Sequence, residues 1–473
     1  MNTQIAVVGG GPGGYAAAFL AADLGMDVTL VERDKNLGGV CLQRGCIPSK
    51  ALLHVAKTIE EVAHLADWGV AFARPAIDPA AMRTRKEKVV ATLCGGLEQL
   101  AAKRKVGMIR AQASLQDSRT LKLAAVGNDP AKHDRLRFEH CILATGSRPV
   151  RIPALDSPTG RVMDSTAALS LAEVPKRLLV VGGGYIGLEL GSVYAALGSR
   201  VSVVELTGHL LPGVDRDLVR PLQRRLAGKF AAIHLETKVV ALAEKGERIE
   251  VTLDGDLEQK TQHFDRLLVS VGRRPNSEEL GLENTRAEVD ERGFVAVDSR
   301  QRTAEATIWA IGDVAGEPML AHKAAHQGKV AVEAIAGEAS EFLPKAIPAV
   351  VFTDPEIAWA GLTETEAKQQ GRKVEVARFP WAASGRAQAI GRTEGMTKWL
   401  IDPAGKRVVG CGIVGAGAGE LIGEAVLAIE LGAAVRDVIE SIHPHPTLTE
   451  TLAGAAEVHC GIATDVYRPK RNA

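Results

Sequence analysis

The sequence predicts an α/β protein of two parallel-sheet units followed by an α+β unit at the C-terminal end, and three observations carry that prediction. A β-branched run, Ile5 to Val8, leads into Gly9-x-Gly11-x-x-Gly14, a helix-like stretch from Ala16 to Leu24, and a second run, Val28 to Val31, that ends at Glu32. The arrangement recurs at Gly182, Gly184, Gly187 and Glu205, each 173 positions after its counterpart. From Ile347 onward the pattern changes to short β-rich runs (Ala349 to Phe352, Ala358 to Leu362, Met396 to Ile401, Arg407 to Val414) with helical segments near Glu420 to Leu431 and Val435 to Ser441, so a third unit begins near Pro348.

Each βαβ unit suits a dinucleotide. The middle glycine lets backbone approach a pyrophosphate, the helix N-terminus faces its charge, and the acid accepts from ribose hydroxyls. Two Rossmann-like dinucleotide-binding domains follow. Each copy also ends alike, in Ala144-Thr145-Gly146-Ser147-Arg148-Pro149 and in Val271-Gly272-Arg273-Arg274-Pro275. Gly11 and Gly146 are 135 residues apart, whereas Gly184 and Gly272 are 88 apart, so the first copy carries 47 extra residues. These match a two-cysteine segment and a largely helical stretch from Ala51 to about Lys105, in which the charged run Arg83 to Lys88 reads as a solvated helix face. The expected boundaries are 1–150, 151–276, 277–347 and 348–473.

Cys41 and Cys46 open that insertion, within Gly38-Gly39-Val40-Cys41-Leu42-Gln43-Arg44-Gly45-Cys46-Ile47-Pro48-Ser49-Lys50. Residues five apart in a regular helix have Cα atoms roughly 8.7 Å apart, and a disulfide needs about 4.4 to 6.8 Å. A bridge therefore requires a distorted turn, which Gly45 permits and Pro48 encourages. Two unpaired thiols remain the alternative, and a zinc site lacks a second close Cys or Cys/His pair. No metal is expected.

Composition narrows the function class. With 46% hydrophobic and 24% charged residues and a formal net charge of zero, the chain offers no electrostatic footprint for nucleic acid. The apolar run from Val408 to Val435 is broken by Glu420, Glu424 and Glu430, so no membrane span is expected. A strand pattern that begins by Ile5 leaves no room for a signal peptide, and a cytoplasmic setting is expected. Cys94, Cys141, Cys411 and Cys460, scattered among apolar neighbours, read as core packing.

The cysteine segment, the two fingerprints, Gly312-Asp313, Pro318-Met319-Leu320-Ala321-His322 and His445-Pro446-Thr447-x-x-Glu450 together resemble the flavin disulfide reductases, most closely the dihydrolipoamide dehydrogenases, over nearly the whole chain. The resemblance implies that the first fingerprint holds FAD, the second holds NAD, segment 277–347 completes the FAD site, and 348–473 forms most of a homodimer interface. It places Cys46 toward the flavin and Cys41 toward the substrate disulfide. It assigns the base to His445, supplied by the other subunit and oriented by Glu450. His443 supports the subfamily and is not expected to be the base. Lys50 and Glu189 match an ion pair at the flavin ring, Asp313 and Ala321 match FAD contacts, and Val239 and Gly272 match NAD contacts. Ala111 stands where the family commonly has glycine, so its FAD contact is expected through backbone. Gln43 and Arg44 replace the commoner Asn-Val; Arg44 either favours a nearby thiolate or points to solvent.

The implied reaction is oxidation of dihydrolipoamide through Cys41, Cys46 and FAD to NAD, with a lipoyl-bearing acyltransferase subunit or glycine cleavage carrier protein as partner. A cis peptide is implied between His445 and Pro446. Glu205, followed by Leu206-Thr207-Gly208 without basic residues, favours NAD over NADP. Tyr185 is expected at the mouth of the nicotinamide site, either as a gate or as packing. The rival readings are another NAD(P)H-dependent reductase of this fold and a non-enzymatic scaffold subunit.

Overall fold

The computed structural model describes residues 1–127, 133–157 and 159–467. Its first sheet runs in the order Gly107–Arg110, Val28–Glu32, Asn2–Val8, Arg135–Leu143, with Ile308–Ala310 on the far side of Arg135–Leu143, all parallel. The antiparallel strands Gln112–Asp117 and Thr120–Ala124 extend it. The second sheet repeats the order: Ala232–His234, Arg200–Val204, Arg177–Val181, Arg266–Val269, Val162–Met163. The fifth parallel strand comes from far downstream in the first copy and from just upstream in the second.

Strands covered on both faces have no room for alternation, and these read as continuous apolar runs. Ile5 and Val7 pack under the helices Pro12–Asp23 and Ala321–Ile335, while Ala6 and Val8 face Leu115, Leu121 and Leu123 of the antiparallel strands. The second copy does the same. Leu178 and Val180 pack under the helix Tyr185–Ala196, and Leu179 and Val181 face Ile249, Val251 and Phe264 of a three-stranded sheet, Lys238–Lys245, Arg248–Asp254 and Thr261–Phe264. The two similar closing segments pair with one another in an antiparallel ribbon, Ser147 opposite Pro275 and Pro149 opposite Arg273.

The insertion is helical, Gly39–Arg44, Cys46–His64 and Pro79–Lys103. Asp78 caps the last of these by accepting from the N–H groups of Ala80 and Ala81. Its charged run is not a wholly solvated face: Lys86 is buried, and its ammonium donates to the Leu169 carbonyl oxygen at 2.8 Å because that helix packs against the second unit. Leu52 and Leu53 join the core of the second copy.

The third unit is a five-stranded antiparallel sheet in the order Ala349–Val351, Glu356–Gly361, Val408–Gly415, Met396–Ile401, Glu375–Pro380. The helices Ala418–Leu431 and Glu450–Cys460 share a core with Trp381 and Trp399. Glu375–Pro380 lies outside the runs expected from sequence. Lys398, 1% exposed, ties this unit to the second one, donating to Asp215 at 2.8 Å, Asp217 at 2.7 Å and Glu364 at 2.6 Å. Burial opposes its charge, but the carboxylates outweigh that and hold the ammonium pKa above its usual value. Cys94, Cys141 and Cys411 are buried as expected, whereas Cys460 is exposed at the end of its helix, where the chain leaves the core. No helix among the described residues is long and apolar enough to cross a membrane.

Candidate active site

The helix that would join Cys41 to Cys46 is broken between them. One short helix ends at Arg44, Gly45 takes φ −143° and ψ −111°, and a new helix starts at Cys46. A Cβ on Gly45 would lie 2.8 Å from the Val40 carbonyl oxygen, so only glycine permits this close turn. Pro48 sits in the first turn of the new helix, where its missing N–H has no intrahelical partner to lose. The break swings the two thiols together, and both are free. Cys41 donates to Cys46; that hydrogen bond, with help from the Lys50 charge, brings the Cys46 thiol down to about 7 against the effect of burial. The same bond, with burial, pushes the Cys41 thiol up. Cys46 is open to the cleft in front of it but surrounded by protein at longer range, which is why both exposure and desolvation act on it.

Both cysteines line a cavity of about 500 Å³ between the first and second units. Gly9, Gly11, Glu32, Lys50, Ala111, Thr145, Gly146, Tyr185, Glu189, Asp313 and Ala321 line it too, which gathers most of the expected cofactor residues in one place. Lys50 Nζ lies 2.8 Å from Glu189 Oε2 and 4.4 Å from the centre of the Phe352 ring, while Glu189 Oε1 accepts from the Phe352 N–H at 2.9 Å.

The fingerprint loops divide labour. A Cβ on Gly14 would fall 1.8 Å from the Gly9 carbonyl oxygen, and one on Gly187 would fall 2.4 Å from that of Gly182, so the third glycine of each loop serves helix–strand contact and not a ligand. Gly184 has no heavy atom within 4 Å of its Cβ position, and at Gly11 the nearest is 3.9 Å away, which leaves room for a pyrophosphate beside both. Glu32 Oε2 accepts from the Gly10 N–H at 2.6 Å and Glu205 Oε2 from the Gly183 N–H at 2.7 Å. Burial raises the Glu32 carboxyl pKa, with its backbone donors acting against that. Both loops fit a dinucleotide. Gly14, Gly182, Gly184, Gly187, Glu205 and Gly272 are not among the residues lining the cavity. Val239 lies on the three-stranded sheet, half-buried against the core of the second unit.

Ala111 uses its N–H on the Glu32 carbonyl oxygen at 3.1 Å. Asp313 Oδ2 accepts from Ser147 Oγ at 2.5 Å, and Ser147 Oγ accepts from Arg273 Nε at 2.7 Å, a chain that crosses the two-strand ribbon. In the sequence Ser147 and Arg273 stand out only as matching repeat ends, and that repetition is the signal that could have found them. Lys323 does not stand out there; its buried ammonium donates to the carbonyl oxygens of Gly312 and Gly316. Burial brings that group down to about 8, with the Asp313 charge opposing the shift. Tyr185 stands in the cleft at the first position of its helix, 43% exposed; burial raises its hydroxyl pKa, and Arg273 acts against that.

His445 is placed differently. Its side chain is 78% exposed and is not among those lining the cleft of its own chain. Its Nδ1 lies 2.9 Å from Glu450 Oε1, and Glu450 Oε2 accepts from the Thr447 N–H at 2.8 Å. Burial works against the Glu450 charge, but the Thr447 N–H and the imidazole hold the carboxyl pKa below its usual value. The His445–Pro446 peptide is cis, as are Glu317–Pro318 and Asp354–Pro355. His443, by contrast, is turned inward and bound to Glu424 and to the Ser441 carbonyl oxygen.

The sequence model of the family described as pyridine nucleotide-disulphide oxidoreductase matches residues 3–328, and that of the same family's dimerisation domain matches residues 347–456. The chain belongs to the pyridine nucleotide-disulphide oxidoreductases. Among its relatives in that family are the dihydrolipoyl dehydrogenases of Haemophilus influenzae, 48% identical over 99% of this chain and 98% of that one, and of Geobacillus stearothermophilus, 43% identical over 98% and 97%. Solved structures superpose closely: LpdA from Mycobacterium tuberculosis at a TM-score of 0.89 and 25% identity, over 96% of this chain and 99% of that one, and the HOCl-induced flavoprotein disulfide reductase RclA from Escherichia coli at 0.84 and 27%, over 96% and 99%.

Proposed function

We propose that this chain oxidises protein-bound dihydrolipoamide to lipoamide and reduces NAD, working as a homodimer with FAD. The observation that carries the reading is the placement of Cys41 and Cys46, sulfur to sulfur, in the cleft that also holds Gly11, Glu32 and the Lys50–Glu189 pair. The dihydrolipoyl dehydrogenase relatives, similar over the full chain, support the substrate.

In the oxidised enzyme a substrate thiolate attacks the Cys41 sulfur, the Cys41–Cys46 bond breaks, and Cys46 leaves as a thiolate, the role to which its lowered pKa suits it. The second substrate sulfur then displaces Cys41, so the substrate closes its disulfide and the cysteine pair holds the two electrons. His445 of the other subunit accepts the substrate proton, its ring held by Glu450. FAD bound in the cleft supplies the two-electron passage from the cysteines to the nicotinamide. Lys50, Glu189, Ala111, Thr145, Gly146, Asp313 and Ala321 would hold it, while Gly184, Glu205, Val239 and Gly272 would receive NAD.

The partner is a lipoyl-bearing acyltransferase subunit or a glycine cleavage carrier protein, which capture on the dimer identifies. A cytoplasmic setting completes the reading. Purified dimer should contain one FAD per chain and reduce NAD with dihydrolipoamide, and Cys41→Ser should cut that turnover roughly a thousandfold or more. Flavin-loaded protein without lipoamide turnover would leave the scaffold reading standing.

A further inference from the structure

We propose that Arg44, which stands between the two cysteines, grips the ADP half of FAD. Arg44 ends the short helix Gly39–Arg44 and lines the cleft on the side of Gly11, Glu32 and Asp34. Its Nη2 lies 2.5 Å from Asp34 Oδ2, and Gln43 Nε2 donates to the Asn36 carbonyl oxygen at 2.7 Å, so Gln43 and Arg44 together latch their helix to the loop that follows Glu32. That latch fixes the guanidinium before any ligand arrives. Asp34 takes one edge of a group that has five N–H donors, and the side chain stays 30% exposed at the cleft.

The chemistry of the wall calls for such a cation. Glu32 and Asp34 both bring negative charge to this end of the cavity, and a dinucleotide brings a diphosphate. Of the other cations lining the cleft, Lys50 is engaged by Glu189, Arg148 by Glu278 and Arg273 by Ser147, while Arg33 lies beside Glu32 in the chain; Arg44 is the one carried on the helix of Cys41. A guanidinium pairs with phosphate oxygens in a forked geometry that an aliphatic side chain cannot reproduce. Because Arg44 closes the helix that carries Cys41, the same contact ties the hold on the cofactor to the position of the redox pair.

FAD release from the dimeric holoenzyme, followed by recovery of flavin fluorescence, separates a grip on the cofactor from a latch within the protein. Arg44→Ala should release FAD tenfold faster or more, Arg44→Lys should fall between it and the parent, and Asp34→Ala, which frees the guanidinium, should stay within threefold of the parent. An Arg44→Ala rate within threefold of the parent overturns the proposal. So does an Asp34→Ala rate equal to that of Arg44→Ala, since Arg44 would then act only through the latch. The proposal rests on the flavin reading, which a parent protein purified without FAD would sink on its own.

Discussion

Lys50 and Glu189 meet at 2.8 Å across the boundary between the first two units, one four residues after Cys46, the other one turn into the helix of the second fingerprint. Glu189 is 4% exposed, so removing Lys50 leaves the carboxylate with poor access to water. The two charges act on Cys46 with opposite signs, Lys50 lowering its pKa and Glu189 raising it. In the reduced protein the rate of Cys46 alkylation should rise with pH through a midpoint of about 7. Lys50→Met should move that midpoint up and Glu189→Gln should move it down. Midpoints that shift together, or not at all, would show that the pair does not tune the thiol.

Glu205, the proposed acceptor of the NAD ribose, predicts the choice of nucleotide. Its oxygens accept from the N–H groups of Gly183 and Thr207 and from Thr207 Oγ1, which fixes the carboxylate beside the loop. A ribose 2′-hydroxyl can still donate to it, while a 2′-phosphate meets a like charge that costs several kcal/mol, so kcat/KM should favour NAD over NADP on the order of a hundredfold or more. Near-equal values would contradict this.

The exposed His445 predicts a shared site. Heterodimers formed from a Cys41→Ser chain and a His445→Gln chain carry one site with both lesions and one intact site, and should recover about half the parent activity from two nearly inactive parents. Purified heterodimers with no recovery would place His445 outside the reaction.

Tyr185 shares the cleft with Cys46 and Glu189 and faces Arg273. As a gate, it must move for the nicotinamide. Tyr185→Ile should change NADH affinity or the rate of flavin reduction by NADH, and leave the dihydrolipoamide half-reaction unaltered. Stopped-flow traces with both half-reactions unchanged would reduce the ring to packing.

The Lys398 cluster predicts a stability profile. The Asp215 and Asp217 carboxyls are desolvated, which raises their pKa values, but Lys398 more than offsets this and holds both below the usual range. Their contribution is therefore present at neutral pH and lost only as pH falls below about 4, the unfolded value. Lys398→Met leaves Asp215 without its cation and Asp217 and Glu364 with Arg378 alone, and should cost about 3–5 kcal/mol at pH 7. The loss should shrink on acidification toward pH 5, since protonation then relieves the repulsion. Thermal melts that show no loss, or a loss that grows toward pH 5, would contradict the assignment.

What the sequence determined by itself was local. The glycine spacings and the break at Gly45 follow from backbone geometry within a turn or two, where glycine is sterically required, while the His445–Glu450 contact came from the resemblance of the closing motif. The duplicated sheets were legible because four offsets repeat. Tertiary structure decided the rest. Ile308–Ala310 joins the first sheet beside Arg135–Leu143, the repeat ends Ser147–Pro149 and Arg273–Pro275 pair with one another, and Lys398 collects partners 183, 181 and 34 residues away. Lys86 in a charged run is buried because a neighbouring unit covers it, and Arg44 turns to Asp34 instead of solvent because a helix and a loop meet there. Such contacts depend on which surfaces the packed units bring together, a sum over many distant residues that no single stretch of sequence encodes.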